Sequence, residues 1–185
     1  MTVLTSPGDT EQILRQWRVE EAAVRARFAA GLGAGVATPA QVVGKSGLEL
    51  MQAMLRGEFP YPTISVTLDF ALISASLGEA IFQGTPNEKH LNPMGTVHGG
   101  WYATLLDSAL GCAVHTMMPA GHSYTTAELS VNLVRGASVG KEPLRVIGKV
   151  LHFGKQLATA EGRMVDAAGK LYAHATTTCL VFEMK

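Results

Sequence analysis

Asn92-Pro93-Met94-Gly95-Thr96-Val97-His98-Gly99-Gly100, continuing through Trp101 to Met118, is the stretch that decides the fold. From Gly99 onward, Trp101, Leu105, Leu106, Leu110, Ala113, Val114 and Met117 go round the whole of one helix. A helix that is apolar on every side is buried on every side. Asp107 breaks the pattern near its middle, where an unpaired carboxylate is costly to bury. At about 100° per residue, its neighbours on that face are Gly100, Ala103, Gly111 and Val114, of which all but Val114 are small. The carboxylate therefore looks into a space. That space is either a helix crossing, with Asp107 bonded to backbone, or a ligand site of the kind where perturbed acids gather.

Working outward, strand-like runs follow at roughly 123–135, 143–154, 156–167 and 170–183. Gly136 and Gly140 lie in the first break, Gly154 in the second and Ala168-Gly169 in the third, and the last two predict tight hairpins. An antiparallel meander is expected. Upstream, Ile64 to Ser74 and Glu79 to Gln83 read as strands joined by a turn at Leu77-Gly78. Ser46 to Arg56 reads as a short helix that Pro60 and Pro62 prevent from continuing. Strands, one buried helix, then more strands define an α+β chain. One sheet can bury such a helix only by curling round it while a neighbour covers the rest.

Residues 1–45 read as a helical extension on a main domain of residues 46–185. Its helix is expected over 9–30, capped by Asp9 or Thr10, with Ile13, Leu14, Trp17, Val24 and Phe28 on one side. Glu20 and Glu21 intrude on that stripe, and Gly31-Leu32-Gly33-Ala34-Gly35 begins a flexible stretch. The extension is expected to be removable through residue 30 without loss of fold or activity. Nucleotide motifs fail here. The glycines follow a helix rather than a strand, and Gly44-Lys45-Ser46 would need a glycine where Pro39 stands.

Composition removes other classes. The 185 residues carry 15 basic and 15 acidic side chains, so nothing drives nucleic-acid binding through phosphate neutralisation. With 47% apolar and 16% charged residues the chain is not disordered, and so few charges suggest surface hidden in an oligomer. Cys112 and Cys179 stand far apart and His115, His122, His152 and His174 lack H-x-x-x-H spacing, so neither a disulfide framework nor a metal site is expected. Asp69 and Asp107 interrupt the best apolar stretches, so no membrane span is expected and a soluble cytoplasmic protein is.

The glycines before the helix permit close backbone approach, and its first N–H groups point at whatever lies in front. That suits the oxygen of a polarised carbonyl. The motif Asn92 to Ala109 resembles the signature of hotdog-fold acyl-CoA thioesterases of the phenylacetate-degradation (PaaI) type, with six residues from Asn92 to His98 and nine from His98 to Asp107. The resemblance continues through Thr125-Thr126-Ala127-Glu128-Leu129, the Gly154-Lys155-Gln156 turn and Ala160-Glu161-Gly162-Arg163-Met164, covering roughly 46–185.

What the resemblance implies is a curved antiparallel sheet around one long helix, dimers that join their sheets, often tetramers, and hydrolysis of acyl-CoA without metal or cofactor. It makes Asp107 the catalytic carboxylate, as base or nucleophile, and the Gly99 N–H the oxyanion donor. Asn92 and His98 position carbonyl or water, and Thr126 supplies a hydroxyl that helps hold the water. One extra loop residue leaves Thr125 as the alternative. Gly100 and Arg135 are candidates for substrate contact, Arg135 and Lys155 through CoA phosphates or simply as solvated strand ends. Trp101, Tyr102, Met117 and Met118 line either an acyl pocket or the core. Since Gly99 and Asp107 stand eight residues apart on one helix, each site is expected to draw on two chains of a homodimer or homotetramer. The rival functions are a non-catalytic acyl-CoA binder and an enoyl-thioester hydratase or dehydratase.

Overall fold

The computed structural model describes residues 7–184. In chain order the elements are α1 (Pro7–Ala30), α2 (Pro39–Val42), α3 (Gly47–Leu55), α4 (Thr63–Thr67), β1 (Phe70–Ser76), β2 (Glu79–Gly84), a 3-10 turn (Glu88–His90), α5 (Gly99–His115), β3 (His122–Leu133), β4 (Leu144–Phe153), β5 (Leu157–Val165) and β6 (Leu171–Glu183). The strands form one antiparallel sheet in the order β1-β2-β4-β5-β6-β3.

All six strands contact α5. A flat sheet of that width, at about 4.8 Å per strand, would extend well past a helix about 10 Å across, so the sheet must curl round it. This is the hotdog arrangement. Leu105, Leu106, Ala109, Leu110, Ala113 and Val114 of α5 are fully buried against it. Each of the three leucines contributes about 1.5–3 kcal/mol of burial. The helix settles on a saddle where Gly148 of β4 pairs with Gly162 of β5, and a Cβ on Gly148 would collide with the Ala109 carbonyl.

Only β4, β5 and β6 form the expected meander. After β3 the chain crosses to the middle of the sheet, so β4 pairs with β2 and β5, while β3 lies on the far edge against β6. The hairpins fall at Gly154, whose N–H donates to the Leu157 carbonyl at 2.8 Å, and at Asp166, whose carboxylate accepts the N–H groups of Ala168 and Lys170.

The run from Ile64 to Ser74 is not a single strand. Its start is α4, with Pro62 at the N-cap, and Asp69 at φ 50° makes the left-handed break that precedes β1. The β-branched Thr63, Ile64, Val66 and Thr67 mimic a strand in composition. Ser46 caps α3 in a reciprocal box, accepting the Glu49 N–H while its own N–H donates to the Glu49 carboxylate at 2.7 Å.

α1 already runs through Asp9 and Thr10, so neither caps it. It lies across the outer face of the sheet. On β2 and β4 Phe82 and Val146 pair on the side facing α5, and Gln83 and Arg145 pair on the other. Gln83 donates to Glu21 at 2.6 Å and to the Trp17 carbonyl, Arg145 binds Glu20, and its guanidinium stands 4.4 Å from the Trp17 ring centre. Glu20 and Glu21 therefore dock the helix rather than spoil its stripe. Leu14, Val24 and Phe28 are buried beneath it, with Phe28 stacked on Tyr61 at 4.6 Å. The glycine stretch that follows is bonded rather than loose: Leu32 N–H donates to the Gly57 carbonyl, Gly35 N–H donates to the Tyr61 carbonyl, and Tyr61 N–H donates to the Gly33 carbonyl.

Candidate active site

Asn92 shapes the loop that leads into α5. Its Oδ1 accepts the N–H groups of Met94 and Thr96, its Nδ2 donates to the Thr96 hydroxyl at 2.8 Å, and Gly95 takes the left-handed turn at φ 76°. One Nδ2 hydrogen is left over from these bonds. His98 is the N-cap: its Nδ1 accepts the Gly100 N–H at 2.9 Å. That bond occupies Gly100, so the Gly100 N–H is a cap donor rather than a second donor to substrate. The Gly99 N–H, first in the helix, has no helical acceptor, and none of the described turn, loop and cap bonds uses it.

Asp107 is half-exposed rather than buried. α5 is not enclosed all round: Ala103, Thr104, Asp107, Ser108, Cys112 and His115 form a half-open stripe, because the sheet wraps only the opposite side. Counting every small residue and cysteine as apolar hid that stripe from the sequence. The Thr126 hydroxyl donates to Asp107 Oδ1 at 3.1 Å. Thr126 pairs with buried Cys179 on the inner face of the sheet. Thr125 pairs with Leu180, so strand alternation sends its side chain to the outer face, away from Asp107.

The structure sets two groups of residues at two levels of α5. Thr126 and Asp107 meet at its middle. Asn92, His98 and Gly99 belong to its N-terminal end, and a Cβ on Gly99 would lie 2.9 Å from Leu133, which places the last residue of β3 there too. Arg135 follows Leu133 in chain, with its Nε donating to the Leu171 carbonyl and its guanidinium 5.9 Å from the Tyr172 ring centre. At about 1.5 Å per residue, Gly99 and Asp107 of one chain are about 12 Å apart along the axis.

Trp101 and Tyr102 belong to the core. The Trp101 indole donates to the Leu68 carbonyl at 3.0 Å, and the Tyr102 hydroxyl accepts the Ala137 N–H at 2.7 Å. Met118 is buried, and the Met117 sulfur packs at the Gly78 turn. The sequence reading passed over Tyr124. Two residues before Thr126 on the same inner face, it lies over Gly111 with its ring 5.7 Å from that of His115. Alternation back from Thr126 was the signal that could have found it.

Electrostatically the neighbourhood is neutral apart from the acid. Burial, then the nearby Asp107 charge, pushes the Cys112 thiol up to about 12. Burial raises the Tyr124 phenol well above its ordinary range and lowers His115. Among the described residues no group of three or more His, Cys, Asp or Glu could hold a metal, and no helix is long and apolar enough to cross a membrane. Surface pockets lie away from this site, one lined by Trp17 and Arg145 and another of about 580 Å³ beside His122, Lys155 and Glu183.

A family model described as the thioesterase superfamily matches residues 94–173, which contain the Gly99 end, Asp107 and Thr126. Acyl-coenzyme A thioesterase 13 of Homo sapiens is 32% identical over 108 residues, covering 58% of this chain and 76% of the relative. A phenylacetic acid degradation-related protein of Ralstonia eutropha superposes with a TM-score of 0.64 at 28% identity, covering 71% of this chain and 98% of that one. A Streptococcus mutans protein solved bound to acetyl CoA superposes with a TM-score of 0.57 at 25% identity, covering 63% and 90%. With this fold and these relatives, the chain belongs to the thioesterase superfamily of hotdog-fold proteins.

Proposed function

We propose that the protein is a PaaI-type acyl-CoA thioesterase whose sites are each built from two chains. One observation carries this: a carboxylate held by Thr126 on the half-open stripe of α5, with the free N–H of Gly99 about 12 Å away on the same helix. A thioester carbonyl needs a donor for its oxygen and a base or nucleophile at its carbon, both within hydrogen-bond reach. One chain cannot offer both to one carbonyl. Two α5 helices packed antiparallel across a two-fold axis can, because Asp107 of each then meets Gly99 of the other. The midpoint of that crossing is Ala103, small enough for close approach. β3 supports the same dimer, since it is the sheet edge and is half-buried or exposed along its whole length.

At each site the Gly99 N–H polarises the carbonyl. Asp107 either takes a proton from the attacking water, or attacks the carbon itself to form a mixed anhydride that water then hydrolyses; in both routes the thiolate of CoA leaves and is protonated. Thr126 holds the carboxylate or the water. Asn92 and His98 build and cap the donor end, where Arg135 is the candidate cation for a CoA phosphate. No cofactor takes part. The acting form is a homodimer, or a homotetramer of two such dimers, in the cytoplasm. The relative named as an acyl-CoA thioesterase and the neighbour that binds acetyl CoA support the substrate class.

Release of free thiol from a panel of acyl-CoA esters tests the proposal. Stoichiometric thiol and free acid are expected. Binding without turnover over hours would identify an acyl-CoA binder instead. Loss of enoyl conjugation with no thiol released would identify a hydratase.

A further inference from the structure

We propose that His90 is a positioning residue for the donor end of the site: as a neutral ring it pegs the loop that carries Asn92, His98 and the Gly99 N–H, and as a cation it releases them. The inference rests on the thioesterase reading above and adds a control over that same site.

The loop from His90 to His98 folds back on itself in three rungs. The His98 N–H donates to the His90 carbonyl at 2.8 Å, Leu91 pairs antiparallel with Val97, and the Asn92 N–H donates to the Thr96 carbonyl at 2.9 Å. The lowest rung stands on His90. Its N–H donates to the Asn87 carbonyl at 3.0 Å, and its Nδ1 accepts the Asn87 N–H at 3.1 Å. Its ring lies against Trp101 in the first turn of α5, with ring centres 5.7 Å apart and planes at 27°. One buried ring thus ties the foot of the loop to the helix whose first N–H is the oxyanion donor.

These bonds fix the tautomer. Nδ1 accepts only when it carries no proton, so Nε2 carries it. Nε2 is buried and has no partner among the described residues, in a side chain that is 4% exposed. An unpaired buried N–H is rare in a fold and costly. If His90 only filled space, an apolar ring would fill it without that cost. What an apolar ring lacks is an acceptor for the Asn87 N–H.

Protonation destroys that acceptor. Nδ1–H would face the Asn87 N–H, and two buried donors of one ring would then go unpaired. The ring must leave, and the His90 carbonyl under His98 moves with it. Few charges stand nearby. Asp69, at the break before β1, favours the cation but is bound to Arg25 of α1 at 2.9 Å. Lys89 on the same turn opposes it, exposed Glu88 flanks it, His98 titrates on the loop itself, and α5 offers only the uncharged Trp101. Burial outweighs the Asp69 charge and holds His90 below the ordinary histidine range, so the neutral, pegged form is present at neutral pH.

The test is NMR of 15N-labelled protein from pH 8 to pH 5, with thiol release measured alongside on the acyl-CoA ester hydrolysed fastest. At pH 8 the His90 ring should show the Nε2–H tautomer. The Gly99 amide signal should move in one step at the midpoint of the His90 ring. There kcat should begin to fall, about tenfold per pH unit beneath it, with KM little changed. His90→Gln offers the Asn87 N–H an oxygen that cannot titrate, so both steps at that midpoint should vanish. His90→Phe keeps a ring but no acceptor, and its kcat should be low at every pH without the step. A Gly99 step that follows the His98 ring, or a fall in kcat at the same midpoint in folded His90→Gln, overturns the proposal and leaves the thioesterase reading intact. If His90→Gln does not fold, the wild-type midpoints decide. Wild-type protein that hydrolyses no acyl-CoA overturns both.

Discussion

The two faces of the sheet treat their acids in opposite ways. On the outer face, under α1, the acids are paired: Glu20 with Arg145, Glu21 with Gln83 and Arg25, and Asp69 with Arg25. Burial opposes the charge on Glu20, but its bonds to Gln16 and Arg145 and the Arg145 charge outweigh it, so its pKa is lowered. On the α5 and β3 face, among the described residues, Asp107 has the Thr126 hydroxyl and no ion-pair partner, and the Gly99 N–H has no acceptor in the turn, loop and cap bonds. Saturated pairing is the mark of docking. Spare capacity on a motif-bearing helix is the mark of chemistry.

The largest effect should come from the spare side. Asp107→Asn can neither take a proton nor attack, so thiol release should fall about a hundredfold to ten-thousandfold while the melting temperature barely moves. On the paired side the ranking reverses, with large effects on stability and little on kcat. Phe28→Ala should cost about 3 kcal/mol in urea unfolding, because it empties the space above Tyr61. Deleting residues 7–30 should go further and yield aggregates on size-exclusion chromatography, since it bares an apolar outer face. A soluble, active remainder would show α1 to be dispensable despite its contacts. Arg145→Ala strips Glu20 and Gln83 of a partner and Trp17 of its cation, and should cost roughly 2 kcal/mol with kcat unchanged.

The smallest effect is a pH dependence. Burial lowers the pKa of both His90 and His115 below the ordinary histidine value of about 6.5. The unfolded chain then binds more protons than the native one just below that value. Stability is therefore full above it and lost as the pH falls through the window beneath. Melting temperatures measured from pH 8 down to pH 5 should decline, and His115→Phe should flatten part of the slope.

Local chemistry explains what was legible. The start of α5, the helix that begins at Ser46 and the turns at Gly154 and Ala168-Gly169 are written in adjacent residues, and the sequence showed them. The place of β3 at the sheet edge depends on pairing with β6, distant in sequence, as in Leu133 with Ala173 and Thr126 with Cys179, and nothing between 134 and 143 announces it. α4 was hidden by β-branched residues. At the site, the motif brought Asn92, His98, Gly99 and Asp107 to attention. It could not show that His98 consumes the Gly100 N–H, that Asp107 is half-open, or that Tyr124 fills the space over Gly111. Those facts belong to packing between elements.

Two dead proteins can show whether the site is shared between chains. Asp107→Ala removes the acid. Gly99→Pro removes only the N–H at the first helical position, where proline is favoured, and His98 before it already has the extended backbone proline requires, at φ −63° and ψ 136°. Leu133 is the side chain that must give way to the new ring. Unfolded and refolded together in equal amounts, the two should form mixed dimers carrying one doubly lesioned site and one intact site. About half of the dimers are mixed and each has one working site of two, so thiol release should return to roughly a quarter of wild type. No recovery, with mixed dimers shown to be present, would mean that Asp107 and Gly99 do not act across two chains.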